Sequence, residues 1–164
     1  MVKRVWLLRH AKSRWDDPGL ADHDRPLAPR GLKAAKRIAR WASDNEVRPD
    51  LVLCSSALRA RATLDLVGRA LGNPATEIEE GLYQASGTEL LRRLAALQTS
   101  VSEVLLVGHN PGLHELACLL APPGPEAFPT GALAELRLAI ATWSETSPGC
   151  ASLEGLVVPR SLPR

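Results

Sequence analysis

Short apolar runs rich in β-branched residues occur at residues 2–8, 51–54 and 103–108 of the chain. Apolar runs of this length are typical of strands that are buried on both faces of a parallel sheet. The segments between them are longer and mixed in polarity. The pattern therefore predicts a largely parallel sheet whose strands are connected by helices.

The segment at residues 29–45 has the clearest helical period. Pro29 suits the first helical position, although Ala28 before it offers no capping oxygen. The apolar stripe of this predicted helix consists of Leu32, Ala35, Ile38, Ala39 and Ala42. Its remaining surface carries Arg30, Lys33, Lys36, Arg37 and Arg40. This pattern indicates an amphipathic helix with a basic outer face.

The rest of the chain continues the alternation of helices and strands. A second helix is predicted after Ser55 and Ser56, either of which can cap it, and it ends at Gly72. Further predicted elements are a strand near 76–80, a helix over 87–98, a helix from Pro111 to about Leu120, a proline-rich loop at 122–131 and closing strands at 132–142 and 151–158. We expect a single domain over residues 1–158 and a frayed tail over 159–164.

Composition and charge argue against several classes of protein. The chain has 164 residues and a net charge of +2, which is too small to favour a nucleic-acid partner. Cys54, Cys118 and Cys150 are odd in number and far apart, a pattern typical of a reduced cytosolic chain. The apolar runs are too short for a signal peptide or a membrane span. We therefore expect a cytoplasmic protein with neither a membrane nor a nucleic-acid partner.

Three groups of polar residues follow directly after predicted strands. These groups are Arg9-His10, Ser55 to Arg59, and His109-Asn110. Ligands of open α/β sheets bind beyond the carboxyl ends of the strands, where parallel strands end at the same edge. The three groups, although about fifty residues apart in the chain, are therefore expected to converge on one crevice.

The residue types in these groups suit the handling of a phosphoryl group. A neutral imidazole such as that of His10 is a good nucleophile at phosphorus, and the guanidinium of Arg9 can grip two phosphate oxygens at once. Arg59 adds a second guanidinium. The helix predicted after Asn110, with Asn110 as its N-cap, would direct free backbone N–H groups at an anion. The sequence thus predicts a phosphoryl-transfer site.

The same residues lie in motifs that resemble those of a known family. LLRHAKS at residues 7–13, SSALRARAT at 55–63 and VGHNPG at 107–112 resemble, in this order and at the right intervals, three motifs of the histidine phosphatase superfamily. The intervening strings DHDRPLAPRG, GLYQAS and PTGALA resemble its SixA-type phosphohistidine phosphatase branch. The resemblance runs from residue 3 to about residue 140. It implies the α/β fold of that family, a three-layer α/β/α sandwich with a central, mostly parallel sheet.

The resemblance also implies a role for each matched residue. His10 would be the nucleophile that is transiently phosphorylated, and Arg9, Arg59 and His109 would bind the phosphoryl oxygens. The further candidates for substrate binding are Arg25, Ser13 and Asn110. We expect the neighbouring arginines to lower the pKa of His10, whereas His109 works best charged. The family needs neither a metal nor another cofactor, so none is expected here.

The position of a general acid affects the choice of substrate. Relatives that cleave phosphoesters usually have an acid that protonates the leaving oxygen, but the string GLYQAS has Gln84 where an acid would stand. Glu79 and Glu80 are nearby, yet the sequence places neither of them in the site. A missing acid favours a P–N substrate, because a protonated imidazole leaves far more readily than an alkoxide.

Three functions are compatible with these residues. The first is a phosphohistidine phosphatase acting on a phosphotransfer protein, and the second is a phosphatase for a small phosphoester or anhydride. The third is a phosphate-binding module without catalysis, which would not need a nucleophilic histidine. An acidic phosphoprotein could dock on the basic face of the first predicted helix, at Lys33, Arg37 and Arg40.

Four further residues are set apart from the motif residues. His23 and His114 are expected to be structural, since neither belongs to a spacing typical of metal ligands or catalytic pairs. Trp15 and Phe128 lie in the two loops expected to rim the crevice, where they are expected to pack on the substrate. The alternative is that they only cover the site.

Overall fold

In residues 2–164, which the computed structural model describes, six strands form one sheet and four α-helices flank it. Met1 lies outside the described residues. The strands are β1 Lys3–Arg9, β2 Leu51–Ser55, β3 Ala75–Glu79, β4 Glu103–Gly108, β5 Leu133–Leu138 and β6 Ala151–Val157. The helices are α1 Pro29–Asp44, α2 Leu58–Val67, α3 Gly87–Ala95 and α4 Gly112–Leu120. The predicted alternation of strands and helices is confirmed.

The sheet has the strand order β3-β2-β4-β1-β5-β6. β1 pairs with β4, β4 with β2, and β2 with β3, all in parallel. β5 is antiparallel to β1, and β6 is antiparallel to β5. The expected central, mostly parallel sheet is therefore correct, with the two closing strands as its antiparallel edge.

Two apolar layers cover the two faces of the sheet. On β1, Val5 and Leu7 join the layer that contains α3 and α4, whereas Trp6 and Leu8 join the layer that contains α1 and α2. Successive side chains of a strand point to opposite faces, so a strand buried on both faces must be apolar at consecutive positions. This arrangement is the three-layer α/β/α sandwich.

The helix termini differ in detail from the sequence-based expectations. Helix α1 begins at Pro29 as expected, but Leu32 of its predicted apolar stripe is 42% exposed. Helix α2 has Ala57 as its N-cap and no capping side chain. Ser56 hydrogen-bonds to His23, and Ser55 hydrogen-bonds to His109 and accepts from the N–H of Ala57. Within residues 2–164, no helix combines the length and apolar character that crossing a membrane requires.

The end of the chain contains a short turn that the sequence did not predict. Residues expected to fray begin with a 3-10 turn at Pro159–Ser161, in which Pro159 is buried. Gly131 allows this contact, since a Cβ atom there would lie 2.9 Å from the Pro159 ring. The turn packs against α1 and brings Arg160 beside that helix. Pro159 is therefore fixed by packing, whereas Arg160, Ser161, Pro163 and Arg164 are exposed, and the fraying of the tail stays a prediction.

Candidate active site

The central strands deliver the three predicted groups to one edge of the sheet. β4 lies between β1 and β2, with Arg9 opposite Gly108 and Cys54 opposite Val107. The residues that follow these strands therefore meet, as the parallel arrangement predicted. They line a cavity of about 420 Å³. Its lining includes every site residue predicted from the sequence, namely Arg9, His10, Ser13, Arg25, Arg59, His109 and Asn110.

His10 is held in one tautomer. Its Nδ1 lies 2.8 Å from the carbonyl oxygen of Ala11, and because a carbonyl can only accept, Nδ1 carries the proton. The Ala11 N–H in turn donates to Thr63 Oγ1 at 3.0 Å, and the Thr63 hydroxyl donates to the Arg59 carbonyl. The neutral ring thus keeps the lone pair on Nε2. A nucleophilic histidine requires this state.

Burial lowers the pKa of His10 from 6.5 to about 4, and the positive charges of Arg59, Arg9 and Arg25 add to the effect. The hydrogen bond to the Ala11 carbonyl acts in the opposite direction. The expected lowering by arginines is present, but the largest cause is burial, since only 7% of His10 is exposed. His10 is therefore neutral at pH 7.

His109 lies beside His10, with the ring centroids 5.1 Å apart. Its Nε2 is 2.7 Å from the Ser55 hydroxyl oxygen. Burial, together with the neighbouring His10 and Arg59, lowers the pKa of His109 to about 3. The groups of the protein thus keep His109 neutral at pH 7, in contrast to the charged state expected from the family role. A phosphoryl dianion would act in the opposite direction and raise the pKa.

The two central arginines are close to each other, with Arg59 buried and Arg9 half-buried. Burial and the charge of Arg59 lower the pKa of Arg9, whose Nη1 donates to the Phe128 carbonyl at 3.0 Å. Arg9 Nε, Arg59 Nε, His109 Nδ1 and Asn110 Oδ1 are buried without a hydrogen-bond partner in the described part of the chain. Most buried polar atoms are paired, so a cluster of unpaired ones indicates a polar ligand. The two Nε–H donors suit an oxyanion.

A carboxylate that sequence reasoning missed lies in this cavity. Asp22 Oδ1 is 3.0 Å from Arg25 Nε, and Asp22 Oδ2 is 3.0 Å from Arg59 Nη2 and accepts a hydrogen bond from the Tyr83 hydroxyl. This hydrogen bond, followed by those from Arg59 and Arg25, lowers the pKa of Asp22 to about 2. Asp22 is therefore ionised at neutral pH and restrains two guanidinium groups. Its only signal in the sequence was its place in the motif DHDRPLAPRG.

The acidic residues weighed as candidate acids lie elsewhere. Glu79 binds Arg93, with an N–O distance of 2.7 Å, and this pairing lowers the pKa of Glu79. Neither Glu79 nor Glu80 lines the cavity. The carboxylate of the site is supplied by the 3-10 turn at Asp22–Asp24, more than fifty residues earlier in the chain.

The two aromatic residues of the rim behave differently from each other. The guanidinium carbon of Arg25 stacks 3.5 Å above the Trp15 ring, while Arg25 Nη1 donates to Ser13 Oγ at 2.7 Å. Trp15 is 76% exposed and covers Arg25. Phe128 is only 2% exposed, and its carbonyl accepts hydrogen bonds from Arg9 and Asn110. The expectation that Phe128 packs on the substrate is therefore wrong.

Asn110 is not the N-cap of α4. The cap position is Pro111, without a capping side chain, because Asn110 Nδ2 donates to the Phe128 carbonyl at 2.9 Å. The predicted structural histidines hydrogen-bond outside the cavity, His23 to Ser56 and His114 to the Pro125 carbonyl. Among residues 2–164, no group of three or more His, Cys, Asp or Glu side chains is arranged to hold a metal ion.

Known proteins share this architecture. The family model of the histidine phosphatase superfamily, branch 1, matches residues 5–86. An uncharacterized protein of Mycobacterium tuberculosis is 41% identical over 163 residues, 93% of this chain and 100% of that protein. Phosphohistidine phosphatase SixA of Escherichia coli is 30% identical over 139 residues, 82% of this chain and 85% of that protein. A solved structure of the protein histidine phosphatase SixA complexed with tungstate superposes with a TM-score of 0.82 at 28% identity, over 96% of this chain and 98% of that one. The chain therefore belongs to the histidine phosphatase superfamily.

Proposed function

We propose that this phosphatase removes the phosphoryl group from phosphohistidine on a phosphotransfer protein. The observation that carries the proposal is the fixed tautomer of His10, which leaves a lone pair on Nε2 in a cavity lined by Arg9, Arg25 and Arg59. A nucleophile among fixed cations is what transfer of a charged phosphoryl group requires. The names of the SixA relatives support the same reaction.

The reaction proceeds in two displacements at phosphorus. His10 Nε2 forms a bond to phosphorus while the P–N bond of the substrate breaks, and the electron pair goes to the imidazole nitrogen of the substrate, which takes a proton from solvent. Water then attacks phosphorus, the bond to His10 breaks, and its electron pair returns to Nε2. The proton of the attacking water is released, and inorganic phosphate is the product.

The cations act on the charge of the transferring group. Arg9 and Arg59 bind its oxygens, and their buried, unpaired Nε–H groups are available as donors. His109 contacts the same group and gains a proton as the phosphoryl charge raises its pKa. The Ala11 carbonyl keeps the proton on His10 Nδ1 throughout, which stabilises the positive ring formed on phosphorylation.

The state of Asp22 supports the choice of a P–N substrate. A carboxylate with a pKa of about 2, bound to two arginines and to Tyr83, has no proton to give to a leaving alkoxide at neutral pH. An imidazole needs no such acid. The alternative is a small phosphoester or anhydride, for which Asp22 would have to lose these partners. A module without catalysis is disfavoured, since binding alone does not need the His10 tautomer.

The test compares two substrates and two histidines. Hydrolysis of phosphoramidate is expected to exceed that of an alkyl phosphate at equal concentration. Quenching in alkaline denaturant during turnover should trap a phosphoenzyme that is stable in base and loses its phosphate in acid, as a P–N bond does. His10→Ala should abolish both signals, whereas His114→Ala, outside the cavity, should retain them. A preference for the alkyl phosphate, or full activity of His10→Ala, contradicts the proposal. The cytoplasmic location stays a prediction.

A further inference from the structure

A second cavity, of about 460 Å³, adjoins the active site between α1 and the C-terminal 3-10 turn. We call it the basic cavity, because six cationic side chains line it: Lys12, Arg30, Lys33, Arg37, Arg160 and Arg164. None of its lining residues is acidic. Clefts lined by one sign of charge focus the electrostatic potential and raise the local concentration of the opposite charge. The basic cavity is thus a strong attractor for anions.

The six cations are not engaged by the protein itself. Within residues 2–164, none of them forms an ion pair with a carboxylate within 4.0 Å, and no side-chain hydrogen bond restrains them, whereas Arg25, Arg59 and Arg93 all have acidic partners. All except the half-buried Arg37 are exposed. Their mutual repulsion is therefore not balanced by acidic groups of the described chain.

The N-terminus of α1 adds to the positive potential. Helix α1 has sixteen residues, starts without a capping side chain and has no acidic residue in its first turn. A helix N-terminus favours a negative charge, so Arg30 in the first turn is unfavourable for the helix on its own. A cationic first turn lining a cavity of cations is consistent with selection for an external anion rather than for helix stability.

The basic cavity and the active site are parts of one surface. Lys12 and Thr130 line both cavities. The Ala28 N–H donates to the Lys12 carbonyl at 2.8 Å, and a Cβ atom on Gly31 would lie 2.1 Å from that same oxygen. The start of α1 is therefore packed directly on the loop that carries His10. An anion in the basic cavity has a defined position relative to the phosphoryl site.

We propose that the basic cavity is the docking site for a carboxylate-rich surface of the phosphorylated protein. The proposal rests on the proposed function and adds where the substrate protein binds. A compact phosphate needs cations held in a fixed geometry, as Asp22 holds Arg25 and Arg59. The exposed, unrestrained cations of the basic cavity instead suit several carboxylates spread over a protein surface, where charge rather than exact geometry determines the attraction.

The position of the cavity separates basic residues that the sequence could not distinguish. Lys33 and Arg37 line it, whereas Lys36 and Arg40, on the same helix, do not. The variant Lys33→Glu/Arg37→Glu and its control Lys36→Glu/Arg40→Glu therefore change the net charge equally, on the same helix, inside and outside the cavity. The sequence-based docking hypothesis included Arg40 with Lys33 and Arg37. The present proposal leaves Arg40 out, because it does not line the cavity.

The experiment uses three probes. The first is a peptide that carries phosphohistidine next to a run of aspartates, the second is the same peptide with asparagines in their place, and the third is phosphoramidate. At low ionic strength, Lys33→Glu/Arg37→Glu should lower kcat/KM for the acidic peptide about tenfold. The control variant should change it by less than about twofold. Neither variant should affect the neutral peptide or phosphoramidate.

Direct binding separates docking from catalysis. The unphosphorylated acidic peptide, labelled with a fluorophore, should bind the parent protein and the control variant with similar Kd values and Lys33→Glu/Arg37→Glu about tenfold more weakly. Equal losses in the two variants overturn the proposal. Binding of tripolyphosphate, but not of the peptide, through Lys33 and Arg37 also overturns it. Failure of the proposed function would appear separately, as a parent protein that does not hydrolyse phosphoramidate.

Discussion

The active-site cavity and the basic cavity are both cationic and share Lys12 and Thr130. Their arginines nevertheless differ in burial and in whether an acidic side chain binds them. In the active site, Arg59 is 6% exposed and bound to Asp22. In the basic cavity, Arg37 has no acidic partner within residues 2–164. Stabilising a transition state needs donors whose positions are set before the reaction, whereas attracting a charged surface needs only charge. Burial and acidic partners, rather than residue type, therefore distinguish the arginines of the two cavities.

The largest effect on kcat/KM should come from replacing the guanidinium of Arg59 by a side chain of the same charge. Arg59→Lys should lower kcat/KM for phosphoramidate by about a hundredfold, because an ammonium cannot reproduce the planar donor fork. Arg37→Lys should change kcat/KM by less than about twofold for phosphoramidate and for the acidic peptide. Steady-state kinetics of this matched pair measures the difference. Equal losses in the two variants would remove the distinction between the cavities.

The pH dependence of stability should also differ between the cavities. Burial lowers the pKa of His10 to about 4, so between pH 6.5 and pH 4 the unfolded chain binds a proton at His10 that the folded protein does not. The free energy of unfolding should therefore fall with falling pH in this window, by up to about 1.4 kcal/mol per pH unit for this residue, and this contribution should level off below pH 4.

Urea unfolding at several pH values checks this stability effect. The slope between pH 6.5 and pH 4 should become smaller in His10→Gln. It should stay unchanged in Lys33→Gln/Arg37→Gln, which changes the basic cavity and introduces no titratable side chain. An NMR titration of the His10 ring measures its pKa independently. A midpoint near 6.5 would show that the site does not bury this histidine.

The dependence of kcat/KM on salt concentration should differ between the acidic and the neutral peptide by about tenfold. Raising the ionic strength from about 0.05 M to about 0.5 M should lower kcat/KM for the acidic peptide about tenfold. At the higher salt concentration the screening length is only a few ångströms, so the attraction between the peptide and the exposed cations is weakened. The neutral peptide should be much less affected. A parallel salt dependence for the two peptides would indicate that the active site alone attracts the substrate.

The smallest effect should come from Asp22. Asp22→Asn removes a charge that competes with phosphate for Arg25 and Arg59, so the inhibition constant of inorganic phosphate should fall by about fivefold or less, since the Asp22 side chain is 47% exposed. Tyr83→Phe, which removes only the hydroxyl donor to Asp22, is the control with a smaller effect. Weaker phosphate binding in Asp22→Asn would mean that Asp22 mainly orients the two arginines.

Much of the site could be predicted from the chain because its main residues directly follow strands. Once β1, β2 and β4 are recognised as parallel and buried, Arg9, His10 and His109 must meet at one edge. Asp22 could not be placed in this way, since it lies on a 3-10 turn in a long loop. Asp22 contacts Tyr83. Both residues lie outside the α-helices and strands, so the hydrophobic periodicity of the sequence does not predict where they meet.

The α/β architecture, the grouping of phosphate-binding residue types and the membership of the histidine phosphatase superfamily can all be recognised from the amino-acid sequence. All three follow from local patterns, because each strand, helix or motif consists of residues that are adjacent in the sequence. Only the tertiary structure decided the tautomer of His10, the ionised state of Asp22 and the separation of Arg37 from Arg40. Each of these depends on burial and on contacts between distant segments, which set local charge and solvation.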